Sequence, residues 1–400
     1  MQSLKCRLNE RARRNTAAVG DLMYLYGLYS FAVIKFLDLQ KITASFQPDL
    51  GQAIRTVVES GWYVRGEQVK EFEAHYAQFI GSRWCVGVGN GFDALRLIFK
   101  AWIELGEMRE GDEVIVPANT YIASMLAVSE SGLVPVFVEP DVSTFNIDAN
   151  KIAQRISSRT RAILIVHLYG RNAMTSEMKT LAEEYKLKLV EDNAQAAGCC
   201  WDGSRTGSLG HAGAHSFFPS KNLGALGDGG AVTTDDEALA EMVRTLGHYG
   251  SHQKNVNDVK GVNSRLDEIQ AAVLSLKLAR LDQDNAARRR VADYYLHNIK
   301  NPHIVLPQRP AISREHVWHL FVARCVARDA LQRHFRERQI ETLIHYPVAP
   351  HQQKAYNEMN GMSWPLTEQI HREVLSLPLS PVMELWEMEA VVDAANGFGL

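Results

Sequence analysis

Between Trp84 and Asp192, short and nearly continuous apolar runs alternate with stretches of helical periodicity. Trp84-Cys-Val-Gly-Val88 reads as a strand running into Gly89-Asn-Gly-Phe-Asp-Ala-Leu95, which opens a helix. Asp112–Pro117, Leu133–Glu139, Arg161–Leu168 and Lys188–Asp192 read as further strands. Thr120–Ser131, Asp148–Ile156 and Ser176–Tyr185 read as the helices between them. Strands that are apolar throughout and joined by helices predict a parallel sheet buried on both faces, hence an α/β fold class. Ligands of such sheets bind at the carboxyl ends of the strands, where Asp192 and the turn at Gly91 lie.

Ahead of this region, from about Ile34 to Gly81, the pattern is mostly helical, with an aromatic turn at Ser60-Gly-Trp-Tyr63. Behind it, a helical pattern runs from about Ser264 to His297 and is broken at Asn301-Pro302. The remainder alternates strand and helix, as in His316–Ala323. The predicted organisation is an N-terminal extension over residues 1–33, a large domain over 34–298 and a smaller C-terminal α/β domain over 299–400.

A chain of 400 residues, 46% hydrophobic and 22% charged, has ample material for such a core. Its net charge of −3 gives no reason to expect nucleic acid or an anionic membrane as partner. The five cysteines are odd in number and show no CxxC spacing. Neither a zinc site nor a disulfide framework is expected, and a reducing cytoplasm fits. Arg11-Ala-Arg-Arg14 ahead of the Leu22–Ile34 apolar run imitates a signal sequence. The run is too short to span a bilayer, and no small-residue cleavage site follows it.

The chemistry concentrates in Ser216-Phe-Phe-Pro-Ser-Lys221-Asn-Leu-Gly-Ala-Leu-Gly-Asp-Gly-Gly-Ala231. One lysine stands in a turn between two strand-like runs, with glycines that let the backbone bend and approach a ligand closely. Desolvation there would leave its amine nucleophilic and able to form a Schiff base. Upstream, Leu187-Lys-Leu-Val-Glu-Asp192 delivers an acid at a strand's end. Alone, Lys221 reads as a surface charge and Asp192 as a helix N-cap or a solvent-facing strand end. Together they match pyridoxal phosphate, which needs a lysine for its aldehyde and a carboxylate beside its ring nitrogen.

Gly89-Asn-Gly-Phe-Asp, at a strand-to-helix turn, offers backbone N–H groups to a phosphate. Its spacing is not GxGxxG, no acid ends a second strand about 20 residues on, and no GK[ST] occurs. A dinucleotide site and a P-loop are both disfavoured. Tyr121 could stack on an aromatic ligand or fill core. Ser216 could bind phosphate or be a satisfied buried hydroxyl. Asn263 reads locally as the N-cap of the long helix.

Taken in order, Gly89-Asn-Gly-Phe-Asp-Ala-Leu, Pro117-Ala-Asn-Thr-Tyr121, Val166-His-Leu-Tyr-Gly170, Glu191-Asp-Asn-Ala-Gln-Ala196, the Lys221 run and Asn263-Ser-Arg-Leu-Asp-Glu268 resemble the nucleotide-sugar aminotransferases of the DegT/DnrJ/StrS type. The likeness runs from about Lys35 to near the C-terminus. It implies a type I pyridoxal phosphate fold and a homodimer whose active sites are shared between subunits. It implies Lys221 as Schiff-base lysine and general acid/base, Asp192 on the pyridine nitrogen, Gln195 on the ring hydroxyl and Tyr121 stacked on the ring. It further implies Gly91, Phe92 and Ser216 on the phosphate, with Asn263 reaching it from the other subunit. His345-Tyr346-Pro347 resembles a segment near the nucleotide sugar.

Phe92 departs from the threonine of most relatives, so only its backbone N–H could serve the phosphate. An apolar residue there, with Val166–Asn172 and His316–Val322, resembles the subgroup that aminates C3 of a dTDP-linked 3-keto-6-deoxy sugar with L-glutamate as donor. The product would be a dTDP-3-amino-3,6-dideoxyhexose. Open alternatives are C4 amination of a dTDP-, UDP- or GDP-linked 4-keto sugar, and a regulatory relative that only binds ligand. A related sugar dehydratase carries histidine at the lysine position, and Lys221 argues against it.

Overall fold

The computed structural model describes residues 33–253, 255–359 and 361–399. All but Val33 of the expected N-terminal extension, and nearly all of the Leu22–Ile34 run, lie outside the described residues. Seven strands form the main sheet: β1 (Trp84–Val88), β2 (Glu113–Pro117), β3 (Val134–Val138), β4 (Thr160–Val166), β5 (Lys188–Asp192), β6 (Ala212–Ser216) and β7 (Gly230–Thr234), in the order β1-β7-β6-β5-β4-β2-β3. Strands β3, β2, β4, β5 and β6 pair in parallel, and β7 runs antiparallel between β6 and β1. The polypeptide thus leaves β6, makes the Lys221 turn and comes straight back as β7.

Helices α1 (Leu39–Ala44), α2 (Asp49–Ser60) and α3 (Glu67–Ile80) precede the sheet. Then follow α4 (Gly91–Glu104), α5 (Ile122–Glu130), α6 (Ser176–Glu184), α7 (Glu237–Leu246), α8 (Glu268–Leu278) and α9 (Leu281–Asn298). Alternate strand residues feed opposite faces. Val114, Leu164, Val190 and Val232 pack with Leu95 and Ile98 of α4, Met125 of α5 and Val243 of α7. Ile115, Ile163, Ile165 and Leu189 turn the other way and meet Met178 and Ala182 of α6. Both faces are covered, which is why the strands carry no polar alternation.

The C-terminal part pairs β8 (Phe321–Arg324) antiparallel with β9 (Val374–Leu377) and adds α10 (Arg328–Glu337), α11 (Pro365–Glu373) and α12 (Leu385–Asn396). Phe321, Phe335, Leu375 and Val391 share a cluster with Val291 and Tyr295 of α9 and with Ile34. Ile34 is tied there by its N–H to the Gln339 carbonyl, at 2.9 Å.

Three expectations change. The helix expected over Asp148–Ile156 is two short 3-10 turns, Ala149–Lys151 and Ala153–Arg155. The Asp148 side chain takes the Asn150 N–H at 3.1 Å and tightens the first turn. The long helix starts at Glu268 and is interrupted at Ala279-Arg280. Asn263 is therefore not its N-cap; that position belongs to Asp267. The segment before it stays extended because it docks on β1: Ser264 Oγ accepts from Gly89 N at 2.9 Å, and Leu266 packs beside Gly87. His316–Leu320 is not strand, and Trp318 adopts a left-handed φ of 48°. Among the described residues no helix is long and apolar enough to cross a membrane.

Candidate active site

At the carboxyl ends of β2, β4, β5 and β6 the structure opens into a cleft of about 410 Å³. Gly91, Phe92, Tyr121, Asp192, Gln195, Ser216, Lys221, His345 and Tyr346 all line it. Asn263 does not. It is exposed and bridged to His248, away from the cleft of its own chain.

Asp192 ends β5 at 6% exposure, so its carboxylate needs partners. Its Oδ2 accepts from Ser124 Oγ at 2.8 Å and its Oδ1 from Ala194 N at 3.1 Å. Burial nevertheless pushes the carboxyl above its ordinary value, against those hydrogen bonds and the Lys221 charge. A buried carboxylate with no ion pair among the described residues suits a cationic ring nitrogen. The neighbouring Glu191 holds the strand's end from the other face. It accepts from Gly207 N, Leu209 N and Gly210 N at 2.8, 2.7 and 2.8 Å. His167 Nδ1 accepts from Ala173 N at 3.0 Å, so its Nε2–H donates to Glu191 at 2.9 Å.

Lys221 stands in the turn after β6, with its N–H on the Phe218 carbonyl at 2.8 Å. Gly224 closes the turn so tightly that a Cβ there would sit 2.4 Å from the Pro219 oxygen. Burial lowers the amine's pKa from 10.5 to about 8, while Asp192 acts in the opposite sense. Such an amine is partly unprotonated near neutral pH, as a nucleophile and proton carrier must be.

The cradle beside it is made by close approach. Asn90 caps α4 through its side chain, accepting from Asp93 N at 2.8 Å. The Gly91 and Phe92 N–H groups at the first turn have no carbonyl four residues back to bond. A Cβ on Gly91 would lie 2.5 Å from Ser216 Cβ, so only glycine lets the helix start meet the end of β6. Two free N–H groups, a helix dipole and the Ser216 hydroxyl converge there, an arrangement chemically suited to a phosphate.

The remaining groups shape the walls. Tyr169 N donates to Gln195 Oε1 at 2.6 Å, which leaves the amide N–H pointing to the cleft. That N–H donates to the Tyr346 hydroxyl at 3.0 Å. The Tyr121 and Tyr346 rings stand 5.1 Å apart. Tyr169 Oη donates to the His345 carbonyl at 2.5 Å, and His345 Nδ1 lies 2.8 Å from Ser376 Oγ. Burial and the nearby Lys221 charge lower His345 to about 4. Sequence reasoning missed Ser124, Thr120 and His319. Thr120 and Ser124, whose hydroxyls meet at 2.9 Å, stand four apart at the start of the expected Thr120–Ser131 helix, which was a legible sign; His319 lies in the His316–Val322 run that resembles the C3 subgroup, but the resemblance gave it no role.

A lysine of depressed pKa, a buried acid awaiting a cation and a phosphate cradle, all in one cleft of a type I fold, fit pyridoxal phosphate. Fold and site define a pyridoxal-phosphate-dependent aminotransferase. The sequence profile of the DegT/DnrJ/EryC1/StrS aminotransferase family matches residues 45–396, and the chain belongs to that family. It is 54% identical over 367 residues, 92% of this chain and 100% of the relative, to the dTDP-3-amino-3,6-dideoxy-alpha-D-galactopyranose transaminase of Aneurinibacillus thermoaerophilus. It is 48% identical over 352 residues, 87% of this chain and 94% of the relative, to the erythromycin biosynthesis sensory transduction protein EryC1 of Saccharopolyspora erythraea. Its structure resembles the crystal structure of S. venezuelae DesV in complex with a ketimine intermediate, with a TM-score of 0.87 and 44% identity over 91% of this chain and 98% of that one.

Proposed function

We propose that this aminotransferase moves the amino group of L-glutamate to C3 of a dTDP-linked 3-keto-6-deoxyhexose, giving a dTDP-3-amino-3,6-dideoxyhexose. The observation that carries the reading is the meeting of Lys221, Asp192 and the Gly91–Ser216 cradle in one cleft. Position C3 and the dTDP carrier are supported by the 54% identity to a transaminase of that printed activity.

When bound, pyridoxal phosphate supplies an aldehyde that carries the amine and a ring that accepts electrons. The Lys221 amine would hold it between turnovers and move protons at the reacting carbon. Asp192, with its oxygens hydrogen-bonded by Ser124 and Ala194, would hold the proton on the ring nitrogen. Gln195 would give the ring hydroxyl the N–H now directed at Tyr346. Tyr121 would cover one ring face. Gly91 N–H, Phe92 N–H and Ser216 would hold the phosphate, with the partner subunit's Asn263 completing the site in a homodimer. Exposure of Asn263, outside the cleft of its own chain, supports that placement. His345 and Tyr346 would meet the nucleotide sugar. The reaction would serve amino-sugar and polysaccharide biosynthesis, and a cytoplasmic setting is supported by the free buried thiols of Cys85, Cys199, Cys200 and Cys325.

The test is glutamate-dependent amination by the purified protein across dTDP-, UDP- and GDP-linked keto sugars. Turnover confined to dTDP-keto sugars supports the proposal. Preference for a UDP or GDP carrier would revise the substrate, and binding without turnover would favour a regulatory role like that in the EryC1 name.

A further inference from the structure

We infer that His319 reads the substrate: its Nε2 lone pair accepts a hydrogen bond from a hydroxyl on one of the sugar carbons flanking the ketone. This deepens, and rests on, the sugar aminotransferase reading.

The ring's tautomer is set by amides that end on backbone carbonyls. Asn285 Nδ2 donates to the Ala197 carbonyl at 2.9 Å, which can only accept, so Asn285 Oδ1 is its acceptor end. That oxygen takes Asn222 Nδ2 at 2.7 Å, and the same Nδ2 donates to the Val317 carbonyl at 3.1 Å. Asn222 Oδ1 is therefore the atom facing His319 Nδ1, at 3.1 Å, and Nδ1 carries the proton. A neutral imidazole has one N–H, so Nε2 is left as a lone pair. The ring is neutral because burial, then the Lys221 and Arg288 charges, hold it well below its ordinary value.

His319 is 7% exposed and lines the cleft together with Lys221 and His345. Its backbone is held as well, with its carbonyl 3.4 Å from Arg288 Nη1. No described protein donor meets Nε2. An acceptor held in place at the wall of a binding cleft calls for a donor on the ligand. Phosphate oxygens and a ketone only accept. Near the reacting carbon, the donors of a nucleotide-linked keto sugar are its hydroxyls.

A site built to bond a hydroxyl discriminates against the analogue lacking it. The experiment uses cofactor-loaded enzyme and dTDP-3-amino-3,6-dideoxyhexose with its 2-deoxy and 4-deoxy analogues, binding being read by calorimetry. Wild type should bind one analogue roughly tenfold more weakly than the parent. His319→Leu should bind the parent roughly tenfold more weakly and show no further loss on that analogue. His319→Gln keeps an acceptor and should recover most of the affinity. Binding of dTDP alone should be unchanged in both variants. Additive losses on both analogues, or a loss of dTDP binding equal to the loss of sugar binding, would overturn the inference while leaving the transaminase reading intact. Failure of wild type to bind any dTDP sugar would overturn both.

Discussion

Replacing Lys221 by methionine should abolish amine transfer and yet make the cofactor-free protein more stable at neutral pH. Burial lowers the lysine from 10.5 to about 8, which at roughly 1.4 kcal/mol per unit corresponds to about 3 kcal/mol of penalty for holding the charge. The residue keeps partial contact with solvent, so a net gain of about 1–3 kcal/mol is expected after allowing for screening. The pH dependence fixes the cause. Below about pH 8 the folded and unfolded chains both hold the proton, and the penalty is complete. Between about 8 and 10.5 only the unfolded chain holds it, so wild-type stability climbs. The advantage of Lys221→Met should therefore be largest at pH 7 and shrink as pH rises through that window. Urea denaturation of both cofactor-free proteins at matched concentration, at neutral pH and again near the top of the window, measures it. A variant no more stable than wild type at pH 7, or an advantage that does not shrink, would refute the reasoning.

Gly91→Ala should weaken pyridoxal phosphate binding by roughly tenfold or more with the fold retained, because the new Cβ meets Ser216 Cβ at 2.5 Å; spectrophotometric titration beside circular dichroism checks it. Ser124→Ala removes a donor from a buried carboxylate and should lower kcat by roughly tenfold or more, with Asp192→Asn lowering it further; near-native turnover in Asp192→Asn would mean that another acid serves the ring. Mixing Lys221→Ala chains with a strongly impaired Asn263 variant should restore activity, since each heterodimer would hold one intact site. No recovery despite demonstrated subunit exchange would mean that Asn263 acts only within its own chain.

The sheet and the groups that meet in the cleft were legible because both lie in short local patterns. Buried strands such as Glu113–Pro117 announce themselves by apolar runs, and Lys221 by glycines that its turn requires. What was not legible depends on contacts far apart in the chain. Asn263 looks like a helix start until Ser264 and Leu266 are seen docked on Gly89 and Gly87, which keeps the segment extended. His319 sits in the His316–Val322 run, but nothing in that run says where its ring goes; its place in the cleft follows from Asn222 and Asn285, the former 97 positions away. Gln195 was assigned to the ring hydroxyl from resemblance, but the direction of its amide is decided by Tyr169 N, 26 positions upstream. Asp148–Ile156 has helical spacing, yet the local Asp148 side-chain bond wins and leaves 3-10 turns.

Regiochemistry is tested by offering the enzyme matched 3-keto and 4-keto dTDP-6-deoxyhexoses in competition, with ¹⁵N-labelled glutamate. NMR then locates the label on the sugar. A shift of the ketone by one ring position displaces the reacting carbon by more than about 1 Å, a misplacement that can cost roughly a hundredfold in rate. The ¹⁵N is expected on C3, with the 4-keto sugar largely untouched. Label accumulating on C4 would contradict the C3 assignment.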